Sequence, residues 1–182
     1  MLPPTMKRAT IICGSGERNG VIGRMCSKAG SILESEGYEV SLFYPAGMDI
    51  HHCSGCNRCV SGDCVFPDDM SAIYGSFAES DVLILSTPIR FSGPSSILKV
   101  VMDRFQPFWH KKSSHPRYCV AMMCGGSREP RFEYTEKIIK AFCITIGMEF
   151  LGSLMIPDTD NDPGDVESRT AVFLEGIIAD ME

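Results

Sequence analysis

Arg8-Ala-Thr-Ile-Ile-Cys13 runs directly into Gly14-Ser-Gly16-Glu-Arg-Asn-Gly20, and that turn into the stretch Val21 to Glu36. The first segment is short, apolar and β-branched, the pattern of a buried strand. The last puts Val21, Met25, Ala29, Ile32 and Leu33 at helical spacing, with Gly37 as a natural stop. A strand, a glycine-rich turn and a helix make an anion cradle: the backbone can approach closely, and free N–H groups at the helix start point at the charge. The signal is weak alone. It is not GxGxxG, it lacks the Lys-Ser/Thr of a triphosphate loop, and an ordinary βα turn reads the same way.

The unit repeats outward from this stretch. Glu39–Tyr44 alternates and reads as a second strand nearer the sheet edge. Asp81–Ser86 is the most apolar strand and should be central, Tyr118–Cys124 a fourth and Met148–Ile156 a fifth. Helices are predicted at about Asp68–Glu79, Ile97–Phe105 with Ser95 or Ser96 as its cap, Glu133–Ile146 and Val166–Ala179. Thr87–Pro94 and Phe108–Pro116 read as loops. Alternating βα units with apolar strands imply an α/β protein with one parallel sheet and helices on both faces. Five units fit a flavodoxin-like three-layer sandwich, a five-stranded parallel sheet of order 2-1-3-4-5. In such sheets ligands bind beyond the carboxyl ends of the strands at the switch point, which gathers Gly14–Gly20, Thr87–Pro94 and Gly125–Ser127 into one crevice.

With 182 residues the chain suits a single domain, 1–182. Its 44% hydrophobic and 22% charged residues are those of a globular protein. A net charge of −6 argues against nucleic acid or an anionic membrane as partner. No apolar run approaches the roughly 20 residues of a membrane span. Met1–Arg8 carries two prolines and no signal-peptide core, so a short disordered lead-in and a cytoplasmic location are expected.

The cysteines are the second signal. Four of nine fall within twelve residues, as Cys53-Ser-Gly-Cys56-Asn-Arg-Cys59-Val-Ser-Gly-Asp-Cys64. They lie in a long connection at about 45–67, and long connections in compact domains are usually functional. A reducing compartment disfavours a disulfide knot and favours metal or redox use. Short C-x2-C-x2-C turns supply thiolates for an iron–sulfur cluster. The same four ligands suit a structural zinc, although zinc usually takes two separated pairs. Unligated thiols are the third reading.

Other residues read more plainly. Cys13, Cys26, Cys119, Cys124 and Cys143 are expected as small buried hydrophobes. His51 and His52 read as exposed loop residues, Asp68-Asp69 as a helix start, and Asp103 with Arg104 as an ion pair at a helix end. Trp109, His110, Lys111 and Lys112 suit a subunit contact, a nicotinamide phosphate or a solvated loop. No residue stands out as a catalytic acid or base.

Four motifs together resemble a known family: Gly14-Ser15; Cys53-x-Gly55-Cys56-x-x-Cys59 with Cys64 and Asp68-Asp69-Met70; Ser86-x-Pro88-Ile89-x-Phe91; and Leu98-Lys99-x-x-x-Asp103-Arg104. From about Lys7 to Ile156 the chain resembles the NADPH-dependent FMN reductase-like branch of the flavodoxin superfamily, and within it the iron–sulfur flavoproteins. The resemblance implies an FMN-dependent oxidoreductase drawing electrons from NAD(P)H or a ferredoxin-like redox protein, assembled as a homodimer or homotetramer. It implies FMN phosphate contacts from Ser15, Glu17, Arg18, Asn19, Gly20, Val21 and Ile22. Pro88, Ile89, Arg90 and Phe91 would flank the isoalloxazine ring, with Cys124, Gly125 and Gly126 on its other side. It implies Cys53, Cys56, Cys59 and Cys64 as ligands of a [4Fe–4S] cluster. Two departures from the pattern stand out. Val21-Ile22 stands where hydroxyl donors are usual, leaving Ser15, Arg18 and backbone N–H groups to compensate, and Arg90 stands where a Tyr is usual. Two further readings stay open: a protein-to-protein electron carrier, and a non-enzymatic module with a four-cysteine zinc loop.

Overall fold

Along β1 (Lys7–Cys13) the side chains alternate between two cores. Ala9, Ile11 and Cys13 enter one, Ile12 the other, and Thr10 bonds the hydroxyls of Ser76 and Ser80 on the Ile12 side. β3 (Val82–Arg90) and β5 (Tyr118–Cys124) divide the same way, as strands covered on both faces must. The computed structural model describes residues 6–111 and 113–181. The lead-in expected before β1 falls largely on residues 1–5, outside the described residues, as does Lys112.

The parallel strands run in the order β2-β1-β3-β5-β6, with β2 at Tyr38–Phe43 and β6 at Glu149–Ile156. This is the flavodoxin-like order expected. Helices α1 (Val21–Ser35) and α6 (Val166–Asp180) cover one face. Helices α2 (Met70–Glu79), α3 (Ser96–Arg104) and α5 (Phe132–Ile146) cover the other. Ser95 caps α3 by accepting from the Leu98 N–H at 3.2 Å. Among the described residues no helix is long and apolar enough to cross a membrane.

Two elements differ from expectation. Thr87–Pro94 is not a free loop: β3 continues to Arg90, turns through Phe91 (φ 49°) and Ser92 (φ 65°), and pairs antiparallel with β4 (Gly93–Pro94). Two consecutive residues at positive φ are what a tight hairpin requires. The start of the Phe108–Pro116 segment is not loop either: Phe108 to His110 belong to the short helix α4 (Gln106–His110).

Candidate functional site

Strand register assembles the crevice. Cys13 at the end of β1 lies opposite Ser86 of β3, and Pro88 of β3 opposite Cys124 of β5. The chain leaving β1 is then clamped. Gly14 N–H donates to the Ser86 carbonyl at 2.7 Å, and the Ser95 hydroxyl donates to the Gly14 carbonyl at 2.6 Å. A Cβ on Gly14 would lie 2.5 Å from the Ser86 oxygen, so only glycine lets these elements meet.

Beyond Gly14 the turn folds on itself. Ser15 Oγ accepts from the Glu17 N–H at 3.2 Å, which leaves its own O–H free to donate. Glu17, Arg18 and Asn19 are exposed. The Arg18 guanidinium stacks over Tyr44 at 4.3 Å, fixing a cation beside the turn. α1 then begins behind Gly20 with no side-chain cap and no acid in its first turn. Its leading N–H groups and positive dipole end are thus left for an anion. Val21 is half-buried, and Ile22 points into the core at 2% exposure, so Ile22 faces the cradle through its backbone alone. Gly23 was not anticipated as a site residue. A Cβ there would sit 1.8 Å from the Arg18 carbonyl oxygen, so the turn closes against the helix only because Gly23 has no side chain.

The other two loops converge alongside. Cys124 is buried at the end of β5. Burial pushes its thiol up to about 11, against opposing effects of a Thr159 hydrogen bond and the Arg90 charge, while the Asp160 charge adds to the rise. Charges from the β3–β4 hairpin and from the loop after β6 therefore meet at one sulfur. That last loop is a clamp the sequence did not reveal. Thr159 N–H donates to Gly125 O at 3.1 Å, Asp160 N–H to Gly126 O at 3.2 Å and Asp158 N–H to Ser127 O at 2.8 Å. Phe91 stands fully exposed at the hairpin tip, and Pro88 and Ile89 are half-buried behind it.

The cysteine connection leaves this crevice. Pro45 and Ile50 lie against Ser96, Ile97, Val100 and Val101, so the chain tracks α3 away from its N-terminus. By His51 it has reached Arg104, the last residue of α3, whose Nη1 donates to the His51 carbonyl at 2.7 Å. The nine residues of α3 separate Ser95 from this end by roughly 12–14 Å at about 1.5 Å each. The four cysteines are therefore at the opposite end of α3 from the glycine-rich turn.

There Cys53, Cys56, Cys59 and Cys64 line a single open cavity of about 340 Å³, together with Val65, Phe66, Arg104 and Pro107. The loop doubles back through Gly55 (φ 65°) and Asn57 (φ 57°) into a 3-10 turn at Arg58–Val60. Partial burial raises the Cys59 thiol, and the nearby Cys64, Cys53 and Cys56 raise it further, so all four sulfurs share one electrostatic neighbourhood. A hydrogen bond from the Arg58 backbone is the main effect lowering the Cys56 thiol. As placed, no three His, Cys, Asp or Glu side chains among the described residues are close enough to hold a metal ion. The donor set, four soft sulfurs around one cavity, fits a thiophilic metal group by its chemistry.

Arg104 forms the cavity wall and corrects two expectations. It does not pair with Asp103, which instead takes Lys99 Nζ at 2.6 Å. It forms a two-pronged pair with Asp68, Nη1 to Oδ2 at 2.6 Å and Nη2 to Oδ1 at 3.0 Å, both side chains 1% exposed. Asp68 is thus a buried counter-ion and not simply a helix start, although its Oδ1 also accepts from the Met70 N–H at 3.2 Å. Burial would raise the Asp68 carboxyl, but the Arg104 hydrogen bonds, the His51 N–H and the Arg104 charge hold it at about 2. His51 stacks on Phe66 at 5.4 Å, with Nδ1 3.4 Å from Asp68. Arg104 Nη2 also donates to Cys64 Sγ at 3.3 Å. Lys111 bonds Asp63 within the cysteine loop at 2.9 Å, an exposed pair that ties the end of α4 to that loop.

Comparison with known proteins bears on the family and the fold. The family model for NADPH-dependent FMN reductase matches residues 7–160. An iron–sulfur flavoprotein of Archaeoglobus fulgidus is 29% identical over 177 residues, 95% of this chain and 79% of that one. An iron–sulfur flavoprotein of Methanocaldococcus jannaschii is 32% identical over 153 residues, 84% and 76% of the two chains. An FMN-dependent NADH-azoreductase from Bacillus anthracis, solved in complex with FMN, shares the fold with a TM-score of 0.67 at 14% identity, covering 97% of this chain and 99% of that one.

Proposed function

The chain belongs to the NADPH-dependent FMN reductase family and is an FMN-dependent oxidoreductase that uses reduced nicotinamide; from that premise we propose that FMN lies with its phosphate at Ser15–Ile22 and its ring between Pro88–Phe91 and Cys124–Gly126, and that Cys53, Cys56, Cys59 and Cys64 hold an iron–sulfur group. FMN, when bound, supplies hydride acceptance and single-electron release, and an iron–sulfur group supplies one-electron relay.

The chain's own residues orient and neutralise. The uncapped start of α1, the free Ser15 hydroxyl and Arg18 fixed on Tyr44 support phosphate binding without the hydroxyls missing at Val21-Ile22. The hairpin of β3 and β4 and the Asp158–Asp160 clamp hold the two ring-flanking loops rigid. The absence of an evident acid or base suits hydride and electron transfer. The observation carrying the relay reading is the common cavity of the four thiols, with a buried cation at its wall.

A single domain with a cysteine-rich loop accounts for all of these elements. The family resemblance is what suggests a homodimer or homotetramer, in which a neighbouring copy would shorten the electron path, and a ferredoxin-like acceptor or donor at the cysteine end. Anaerobic steady-state assay tests the activity. NAD(P)H oxidation that depends on FMN and a small-molecule acceptor is expected. A bound flavin that reduces without such turnover would make the chain a protein-to-protein carrier instead.

A further inference from the structure

Arg104 has more hydrogen-bonding capacity than its ion pair uses. Its Nη1 is shared between Asp68 and the His51 carbonyl, and its Nη2 between Asp68 and Cys64 Sγ. Its Nε is the one buried side-chain nitrogen or oxygen without a partner among the described residues. The guanidinium sits under Phe66, 5.0 Å from the ring, in the wall of the cavity the four cysteines line. Tyr74 O–H donates to the Arg104 carbonyl, anchoring the backbone from the other side. Held at this many points, the guanidinium presents a fixed N–H to the Cys64 sulfur at the wall of that cavity.

We propose that Arg104 is the positioning residue of the four-cysteine site: it fixes Cys64 through Nη2–H···Sγ and sets the reduction potential of the metal group those cysteines hold. This rests on the iron–sulfur reading above. An added electron increases negative charge on the sulfurs, and an N–H donor to sulfur stabilises that charge, which raises the potential. Asp68 cancels the full positive charge of Arg104, so the sulfur feels a directed N–H dipole more than a bare cation. Removing Asp68's charge raises the potential further, and replacing the fork of Arg104 lowers it. Lysine keeps the charge but, as a single ammonium on a flexible stem, cannot bridge Asp68 and Cys64 in one plane.

The test uses the full chain, reconstituted anaerobically with iron and sulfide. Arginine labelled with ¹⁵N in the guanidinium alone is incorporated into the wild type, and the reduced protein is examined for ¹⁵N hyperfine coupling. Redox titrations followed by electron paramagnetic resonance then compare wild type, Arg104→Lys and Asp68→Asn. Coupling is expected in the wild type. Arg104→Lys should lower the reduced-to-oxidised ratio at fixed potential about tenfold, ~59 mV for one electron, with iron content unchanged, and Asp68→Asn should shift the ratio the other way. The labelled wild type decides the matter even where a variant fails to fold. Iron-loaded wild type without guanidinium coupling, or variants titrating with the wild type, would overturn this inference alone. Wild type that takes up no iron or sulfide would overturn the reading beneath it.

Discussion

Arg104 and Asp68, thirty-six residues apart, form a two-pronged ion pair with both side chains 1% exposed. The pair joins the end of α3 to the end of the cysteine connection and, through the His51 carbonyl, to the stretch just before Cys53. Removing one partner leaves a buried charge uncompensated, which costs about 3–5 kcal/mol. Asp68→Ala should therefore lower stability by that amount in urea denaturation. Replacing both partners together, Asp68→Leu with Arg104→Met, should recover most of the loss. An equal loss in the single and double variants would remove the pair from the account.

The same pair sets an acid limit. Asp68 titrates near 2 in the folded chain, below its ordinary value of 3.8. A lowered carboxyl contributes stability that is present above the unfolded value and lost as pH falls through the folded one. At about 1.36 kcal/mol per pH unit, the contribution is of order 2 kcal/mol. Urea midpoints of the wild type should fall between pH 4 and pH 2 more steeply than those of Asp68→Asn. Parallel curves would contradict the assignment.

Gly23 lets the glycine-rich turn close against α1. A methyl at that position meets the Arg18 carbonyl oxygen at 1.8 Å, and backbone must move. Gly23→Ala should fold, because the clash is with an exposed turn, but should bind FMN at least about tenfold more weakly, ~1.4 kcal/mol. Fluorescence titration of the flavin measures it. Unchanged affinity would mean that the turn does not hold the phosphate.

In the proposed FMN site, Arg18 stands in for the hydroxyl donors absent at Val21 and Ile22. Losing one charge-assisted bond to phosphate costs roughly 1.5–3 kcal/mol, so Arg18→Gln should weaken FMN about 10- to 100-fold and flatten the salt dependence of binding. Riboflavin, which lacks the phosphate, should bind both forms alike. Equal losses for riboflavin and FMN would place Arg18 at the ring instead.

Periodicity made most of the fold legible, because strands covered on both faces are continuous apolar runs and each helix carries a stripe. β1 and β5 and the helix α1 follow from such patterns. The continuation of β3 does not, since Pro88, Ser92, Gly93 and Pro94 are all turn formers. The extension exists because Pro88 pairs in register with Cys124 of β5, a contact absent from local sequence. Asp103 beside Arg104 suggested the wrong ion pair for a related reason: helix neighbours in sequence point in different directions, and the true partner arrives from a distant loop. The spacing of the four cysteines indicated a ligand set. Their position at the far end of α3 was invisible, because it depends on Pro45 and Ile50 packing along that helix. Gly23 was hidden within an ordinary helical pattern, and the Asp158–Asp160 clamp acts through backbone groups that no side-chain motif records.

The central claim is that one chain carries both a flavin cradle and a redox-active four-cysteine site. Anaerobic isolation with analysis of flavin, iron, sulfide and zinc tests it most directly. One FMN with about four irons and four sulfides per chain, the stoichiometry of a single [4Fe–4S] cluster, is the predicted result, with the iron and sulfide lost on replacing Cys53, Cys56, Cys59 or Cys64 by serine. A colourless protein holding one zinc and no flavin would contradict it.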